Sequence, residues 1–117
     1  MLNKVMLIGN VGKAPEEQKL PSGDTVVTFS IATSKSYTKD GQKEKITEWH
    51  AVKAYGKLAD IILKLTKQGS MVYVEGSLKT SKWEKNGEKR SKTEIIADEF
   101  WILSKKDVPP EDNSSED

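Results

Sequence analysis

The sequence predicts an all-β fold: a five-stranded barrel with one short helix between the third and fourth strands and two long protruding hairpins. Apolar and polar residues alternate along much of the chain, which is the period of strands with one buried face. Asp40-Gly41 and Asn86-Gly87 each separate two such stretches, and both dipeptides favour tight hairpin turns. Residues 57–67 instead show the period of an amphipathic helix. A chain of 117 residues has room for one domain.

The first two strands fall within residues 1–34. Residues 3–9 are mostly apolar, and the run ends at Gly9-Asn10. A connection follows, with the turn-forming residues 21–24 near its end. Residues 25–34 form the second strand, where alternation places three large apolar side chains on one face: Val27, Phe29 and Ile31.

The third strand carries the most informative stretch, residues 47–56, after a polar hairpin over residues 37–46. Alternation places Trp49, Lys53 and Tyr55 on one face. The other face carries His50, Val52 and Ala54. Because lysine is rarely fully buried, the first face is a poor core. It suits unpaired nucleic acid, whose bases stack on aromatic rings while cations contact the phosphates. The alternative is a half-buried strand whose two rings pack beneath a loop.

The helix and the last two strands complete the barrel. Helical spacing gives one apolar face made of Leu58, Ile61, Ile62 and Leu65. Gly69 stands where a C-terminal cap belongs. The fourth strand covers residues 70–78 and continues to Trp83, which shares a face with Lys79 and Ser81.

The fifth strand, residues 92–103, is apolar on both faces. One face carries Ile95, Ala97, Trp101 and Leu103, and the other carries Ile96, Phe100 and Ile102. Such a strand is expected to be buried against a partner as well as in the core, so we assign Phe100 and Trp101 to the core or to an interface.

This order of elements is the layout of a Greek-key oligonucleotide/oligosaccharide-binding (OB) barrel, whose strand 2–3 face and long loops hold the ligand. We expect residues 1–106 to form the domain and residues 107–117 to form a short, disordered acidic tail. All 19 Lys and Arg and 13 of the 18 acidic residues precede the tail, so the body carries a charge of +6 and the tail −5. A basic body with an acidic tail is typical of a polyanion binder.

Four aromatic residues have lysines close in sequence: Tyr37, Trp49, Tyr55 and Trp83. Base–aromatic stacking contributes about 1–3 kcal/mol per base whatever the base is. Lysines that neutralise phosphates release counterions, which is equally independent of base sequence. We therefore predict sequence-independent binding of single strands, with the four rings as stacking positions. The predicted phosphate contacts are Lys4, Lys35, Lys53, Lys57, Lys79, Lys82 and Lys85.

Several short sequence motifs occur here in the same order as in a known protein family. They include Asn3-Lys4-Val5, Ile31-Ala32-Thr33-Ser34, Thr47-Glu48-Trp49-His50, Tyr55-Gly56-Lys57-Leu58-Ala59, Val72-Tyr73-Val74-Glu75-Gly76 and Thr93-Glu94-Ile95. Through these motifs, residues 1–103 resemble the bacterial and phage single-stranded DNA-binding protein family. The resemblance implies an OB domain that assembles as a homotetramer, a dimer of dimers, with DNA wrapped around it. The implied role is to protect and organise single-stranded DNA during replication, recombination and repair.

The same resemblance implies where the subunits meet and where the protein works. It places His50 near the subunit interface, and we add Met71 and Tyr73 as interface candidates. It implies a cytoplasmic, nucleoid-associated protein. The end of the chain departs from the family's pattern, because cellular members usually close with Ile-Pro-Phe, which recruits replication and repair proteins. The last residues here, Ser115-Glu116-Asp117, include no aromatic ring, so such partners are doubtful and a phage-, plasmid- or accessory-type protein is an open alternative.

Other classes of protein find less support. The absence of Cys excludes disulfides and thiolate metal sites. The apolar start is too short for a signal peptide, and no apolar segment approaches the length of a membrane span. A nuclease would need clustered carboxylates or a nucleophile–base pair, and His50 has no metal-ligand partners nearby in sequence. We therefore predict no enzymatic activity, no metal and no cofactor. An OB module for protein or sugar, or a primosome-type accessory protein, remains as the alternative.

Overall fold

Six strands and one helix follow one another along residues 1–104, the part of the chain that this computed structural model describes. They are β1 (Val5–Val11), β2 (Glu16–Lys19), β3 (Thr25–Lys39), β4 (Gln42–Tyr55), α1 (Gly56–Leu65), β5 (Met71–Lys85) and β6 (Glu88–Ile102). The predicted domain end at residue 106 and the acidic tail over residues 107–117 lie outside the described residues.

Five of the strands close into a barrel in the order β1-β5-β6-β4-β3, because β1 pairs back onto β3. The neighbours are antiparallel except β4 and β6, which run parallel where Val52 pairs with Ile95. The helix α1 separates the third and fourth barrel strands. This confirms the predicted five-stranded OB barrel with a single helix.

The strand β2 is an addition that the sequence did not predict. It pairs antiparallel with the start of β3 through four consecutive residues, from Glu16 opposite Thr28 to Lys19 opposite Thr25. All of β2 is exposed and its sequence, EEQK, contains no apolar residue. It is held by backbone pairing without a buried side, so no alternation of apolar residues marks it.

The barrel core is formed by the inward faces of the strands and one side of α1. Val27, Phe29 and Ile31 point inward from β3 as predicted. From α1, Ala59 and Ile62 are fully buried, whereas Ile61 is exposed, so the predicted apolar face of the helix is wrong at that residue. The helix also ends earlier than Gly69, with Thr66 as its C-cap donating its backbone N–H to the Ile62 carbonyl.

A β-bulge changes the alternation of β6. Glu99 pairs with Glu75 and Ala97 pairs with Gly76, so Asp98 has no partner on β5. Beyond this extra residue the inward position passes to Phe100, whose ring packs edge-on against Phe29 at 6.4 Å between centroids. Trp101 therefore turns outward and is 62% exposed. The prediction that Trp101 shares a face with Ile95 and Ala97 is wrong for this reason.

Both predicted hairpin turns are confirmed. Asp40 and Gly41 have φ of +52° and +79°, and Asn86 and Gly87 have φ of +53° and +82°. Two consecutive residues with positive φ match the right-handed twist of the flanking strands, which explains the Asp-Gly and Asn-Gly sequences. The β3–β4 and β5–β6 hairpins extend beyond the barrel, with residues 34–49 and 78–93 exposed.

Candidate nucleic-acid interface

The outward face of β4 carries two exposed aromatic rings and a lysine. Trp49 is 61% exposed and Tyr55 44% exposed, while Val52 and Ala54 between them are fully buried. The alternation predicted for residues 47–56 is therefore present, and the alternative in which both rings pack beneath a loop does not fit this exposure.

The same side of the barrel continues onto β6 and β5. Lys53 pairs with Ile96 on β6, and Ile96 pairs with Ser77 on β5. Because β5 alternates without interruption from there, Lys79, Trp83 and Lys85 project to this side too. Trp83 is 46% exposed. We call the surface formed by Trp49, Lys53, Tyr55, Lys79, Trp83 and Lys85 the aromatic face.

A carboxylate that the sequence prediction missed lies within the aromatic face. Glu94 on β6 is only 9% exposed, and its two oxygens approach the Lys53 ammonium at 3.5 Å and the Lys92 ammonium at 3.7 Å. It borders a cleft of about 290 Å³ that is also lined by Lys13, Thr28 and Ser30. Glu94 holds the Lys53 side chain against the sheet, so a phosphate must compete with this carboxylate for Lys53.

Tyr37, the fourth predicted stacking position, does not share this face. The β3–β4 hairpin pairs residue for residue, with Trp49 opposite Ala32 and Tyr37 opposite Glu44. Tyr37 is therefore in the alternating set of Ile31, which is buried, and projects to the other side of the hairpin from Trp49. The ring is nonetheless 42% exposed.

The predicted phosphate contacts divide in the same way. Lys35 follows Tyr37 to the opposite side of its hairpin, and Lys82 projects away from Trp83 on β5. Lys57 is exposed at the start of α1, two residues after Tyr55. The structure thus brings three of the seven predicted lysines onto the aromatic face: Lys53, Lys79 and Lys85.

Lys4 is engaged elsewhere, on the outer side of β1 and β5. Its ammonium forms an ion pair with Glu75, and the Tyr73 hydroxyl donates a 2.6 Å hydrogen bond to the same carboxylate. The hydrogen bonds from Lys4 and Tyr73 hold the pKa of Glu75 below its ordinary value. The hydrogen bond to Glu75 in turn raises the pKa of Lys4 and the pKa of Tyr73.

This second surface also carries a row of large apolar side chains. Ile8 pairs with Tyr73 and Tyr73 pairs with Trp101, so the three side chains form one row across β1, β5 and β6. Ile8 and Trp101 are exposed. We call the outward side of these strands the apolar sheet face; its large side chains are Met6, Ile8, Met71, Tyr73 and Trp101.

Of the three predicted interface residues, Met71 and Tyr73 lie on the apolar sheet face. His50 does not, because it projects from β4 toward the side opposite Trp49. Its Nε2 lies 2.8 Å from the Thr33 hydroxyl, which is a local contact within the β3–β4 hairpin.

Neither a metal-binding cluster nor a membrane-spanning helix occurs among residues 1–104, the part of the chain that the structure describes. No group of three or more His, Asp or Glu side chains there is arranged to hold a metal ion. Within the same residues, the one helix is too short to cross a membrane.

Known proteins resemble this chain in sequence and in fold. The sequence model of the single-strand binding protein family matches residues 2–103. Single-stranded DNA-binding protein 1 of Chlorobaculum tepidum is 45% identical over 109 residues, covering 91% of this chain and 67% of that protein. The protein of the same name from Xylella fastidiosa is 46% identical over 108 residues, covering 90% and 79%.

Solved structures agree with these relatives. The structure described as Plasmodium falciparum SSB in complex with ssDNA has a TM-score of 0.82 and 38% identity, covering 89% of this chain and 96% of that one. A deletion variant of the single-stranded DNA binding protein from Thermus aquaticus has a TM-score of 0.77 and 31% identity, covering 88% and 51%. These matches confirm the resemblance to the single-stranded DNA-binding protein family that the sequence motifs indicated.

Proposed function

This chain belongs to the single-strand binding protein family, and we propose that it binds single-stranded DNA without preference for base sequence. The observation that carries the proposal is the aromatic face, where Trp49, Tyr55 and Trp83 are all 44–61% exposed beside lysines. Burial would have stabilised the fold through these indole and phenol rings, and they are exposed instead. Such exposure supports a binding role. The names of the relatives, single-stranded DNA-binding protein, support the same conclusion.

In the proposed mechanism, two contributions to the binding free energy do not depend on base identity. Bases unstack from one another and stack on Trp49, Tyr55 and Trp83, each ring contributing about 1–3 kcal/mol. Lys53, Lys79 and Lys85 neutralise phosphates and release counterions, so affinity falls as the salt concentration rises. Tyr37, Lys35 and Lys82 would contact DNA only if the strand passes around the edge of their hairpins. Lys57 extends the path beyond Tyr55. Lys4 contributes least, because Glu75 already neutralises it.

The three tryptophans allow a direct test. In three variants, two of the three tryptophans are replaced by phenylalanine, so that each stacking position keeps an aromatic ring and one indole remains, at Trp49, at Trp83 or at Trp101. These proteins are titrated with an oligo-dT strand at low and high salt. We expect strong quenching of Trp49 and Trp83 that weakens as salt rises, and little response to duplex DNA. Trp101 is the internal control, because it lies on the apolar sheet face. Unchanged emission of Trp49 and Trp83 at low salt would contradict the proposal and favour a protein-binding OB module.

We also propose that the protein assembles as a homotetramer, a dimer of dimers, through the apolar sheet face. Met6, Ile8, Met71 and Trp101 expose large apolar side chains on three neighbouring strands. Contiguous apolar surface of this kind marks protein contacts. In residues 1–104, the edge of β1 opposite β5 pairs with β3 only at Asn10 and Val11, so residues 5–9 leave an edge to which a second copy could add.

The assembly is tested by sedimentation velocity on Ile8→Lys. A buried ammonium in the interface should dissociate the tetramer, because an unpaired charge is costly to desolvate. Ile61→Lys is the matched control, since it places the same charge on an exposed isoleucine of α1. Equal sedimentation of both variants and the parent would refute the apolar sheet face as the interface. His50 remains an interface prediction that this pair of variants does not address.

The proposed role follows from binding alone and involves no catalytic step or cofactor. A protein that covers single strands would protect and organise them wherever replication, recombination or repair exposes them, in the cytoplasm at the nucleoid. Protection of a labelled oligonucleotide from a single-strand nuclease measures this directly. We expect protection that is lost when Trp49 and Trp83 are both replaced by Ala. Full protection by that double variant would show that the aromatic face is not the binding surface.

A further inference from the structure

Three glycines of the barrel lie where a Cβ atom would collide with a neighbour. At Gly9 the obstacle is the Ala32 carbonyl of β3, and at Gly76 it is the Ile96 carbonyl of β6. Both obstacles are backbone atoms that cannot move without disturbing the sheet, so these two glycines are required by the fold.

At Gly12 the obstacle is different in kind. A Cβ there would collide with Cζ3 of Trp49, and would lie 3.2 Å from Cε3 of the same ring and 2.8 Å from the Ser30 hydroxyl oxygen. Gly12 follows the last residue of β1, and its backbone N–H donates a 3.0 Å hydrogen bond to the Ser30 carbonyl. The chain is thus fixed beneath the six-membered part of the Trp49 indole, which packs directly on the glycine.

From this contact we propose that Gly12 is a positioning residue that sets the orientation of the Trp49 ring for stacking; the inference rests on the proposed function. Trp49 is 61% exposed, so packing on Gly12 covers one part of the ring and leaves the remainder open to a base. Because glycine has no Cβ atom, it lets the backbone approach an indole this closely. The ring is thereby held at an angle before DNA arrives, which reduces the ordering cost of binding.

The geometry also predicts that alanine at this position preserves the fold. Gly12 is not among the glycines with positive φ, so alanine can adopt its backbone conformation. The colliding atoms belong to side chains, and the exposed Trp49 ring can rotate outward. The ring would leave its position while the barrel stays intact.

Gly12→Ala is compared with the parent in two backgrounds: acrylamide quenching is measured in a protein that retains Trp49 as its only indole, and affinity for a fluorescently labelled oligo-dT is measured in the chain that keeps all three tryptophans. Without DNA, we expect Gly12→Ala to increase acrylamide quenching of Trp49, because the ring no longer packs on the chain. With oligo-dT, we expect affinity to fall by about 5-fold to about 150-fold, the range that corresponds to the loss of one stacked base. Circular dichroism and the melting temperature report on the fold in the same samples.

A compensating variant separates positioning from a general structural effect. Phenylalanine lacks the distal part of the indole that the new Cβ would meet, so Gly12→Ala/Trp49→Phe should bind like Trp49→Phe alone. Gly12→Ala/Ser30→Ala is the control for the hydroxyl contact and should remain defective. The inference is overturned if folded Gly12→Ala binds like the parent, or if Trp49→Phe fails to compensate, including the case in which Gly12→Ala does not fold.

The design distinguishes failure of the inference from failure of the proposed function. If the unsubstituted chain, with all three tryptophans, does not bind oligo-dT, the proposed function is refuted. The acrylamide measurement without DNA still decides whether Gly12 orients the ring. If the unsubstituted chain binds and Gly12→Ala changes neither readout, only the inference is refuted.

Discussion

Replacing Glu94 by glutamine should strengthen single-strand binding, because this carboxylate competes with phosphate for two lysines. Its oxygens lie 3.5 Å from the Lys53 ammonium and 3.7 Å from the Lys92 ammonium, at only 9% exposure. Glutamine has the same shape and no charge, so both ammonium groups become available to DNA. The variant removes a negative charge from the middle of the aromatic face without opening a cavity.

The magnitude follows from counterion release. Each phosphate neutralised on a single strand adds about 0.7 to the slope of log affinity against log salt. Two released lysines should therefore steepen the slope by up to about 1.4. Between 50 mM and 200 mM salt, the advantage of Glu94→Gln over the parent should shrink by up to about sevenfold, the limit reached if neither lysine contacts a phosphate in the parent.

The assay is a fluorescence titration with oligo-dT at several salt concentrations. Glu17→Gln is the matched control, since it also removes a carboxylate paired with a lysine, Lys19, but on β2 away from the aromatic face. It should change the slope little. An unchanged slope for Glu94→Gln, or an equal change for both variants, would refute the idea that Glu94 holds phosphate-binding lysines.

Three further predictions concern the two faces and the bulge. Trp49→Ala and Trp83→Ala should each weaken single-strand binding by about 1–3 kcal/mol with unchanged circular dichroism, whereas a fall in melting temperature would place those rings in the core. Glu75→Gln should lower the melting temperature at neutral pH, and the difference from the parent should disappear as pH falls through the lowered pKa of Glu75, because the parent's carboxylate then loses its charge; a difference that persists in acid would contradict this. Deleting Asp98 should lower the melting temperature less than deleting Ile96, since only the second deletion makes the buried Ile95 and Ala97 neighbours and so turns one of them out of the core; equal losses would show that the bulge does not set the alternation.

Local sequence features predicted most of the architecture. The hairpin turns depend on two residues each, Asp40-Gly41 and Asn86-Gly87, and their positive φ angles are a property of those residue types. Alternation along β4 predicted the exposure of Trp49 and Tyr55, because successive side chains of a strand point to opposite faces of the sheet. Features that depend on one strand and one turn were therefore visible in the sequence.

The side of the hairpin from which Tyr37 projects also follows from the sequence. A two-residue turn at Asp40-Gly41 pairs Lys39 with Gln42, and counting back pairs Tyr37 with Glu44 and Ala32 with Trp49. Tyr37 and Ala32 are an odd number of residues apart, so they project to opposite sides. A lysine near an aromatic residue in sequence, by contrast, does not indicate from which side of the hairpin the ring projects.

Other features could not be predicted, because they depend on contacts between distant strands. Glu94 meets Lys53 only because β4 and β6 run side by side over two paired positions, 52–53 and 95–96. The strand β2 has no apolar residue to mark it. The contact between Gly12 and Trp49 joins the end of β1 to the middle of β4, and neither residue indicates the other in sequence.

The bulge at Asp98 links the two proposed functions within one strand. Before it, β6 supports the aromatic face, where Glu94 holds Lys53 beside Ile96. After it, the outward position passes to Trp101, which extends the apolar sheet face. Strict alternation would have turned Trp101 inward and Phe100 outward, giving up the Phe29 contact together with the assembly surface. A single unpaired residue therefore lets one strand serve the core, the binding face and the proposed interface at the same time.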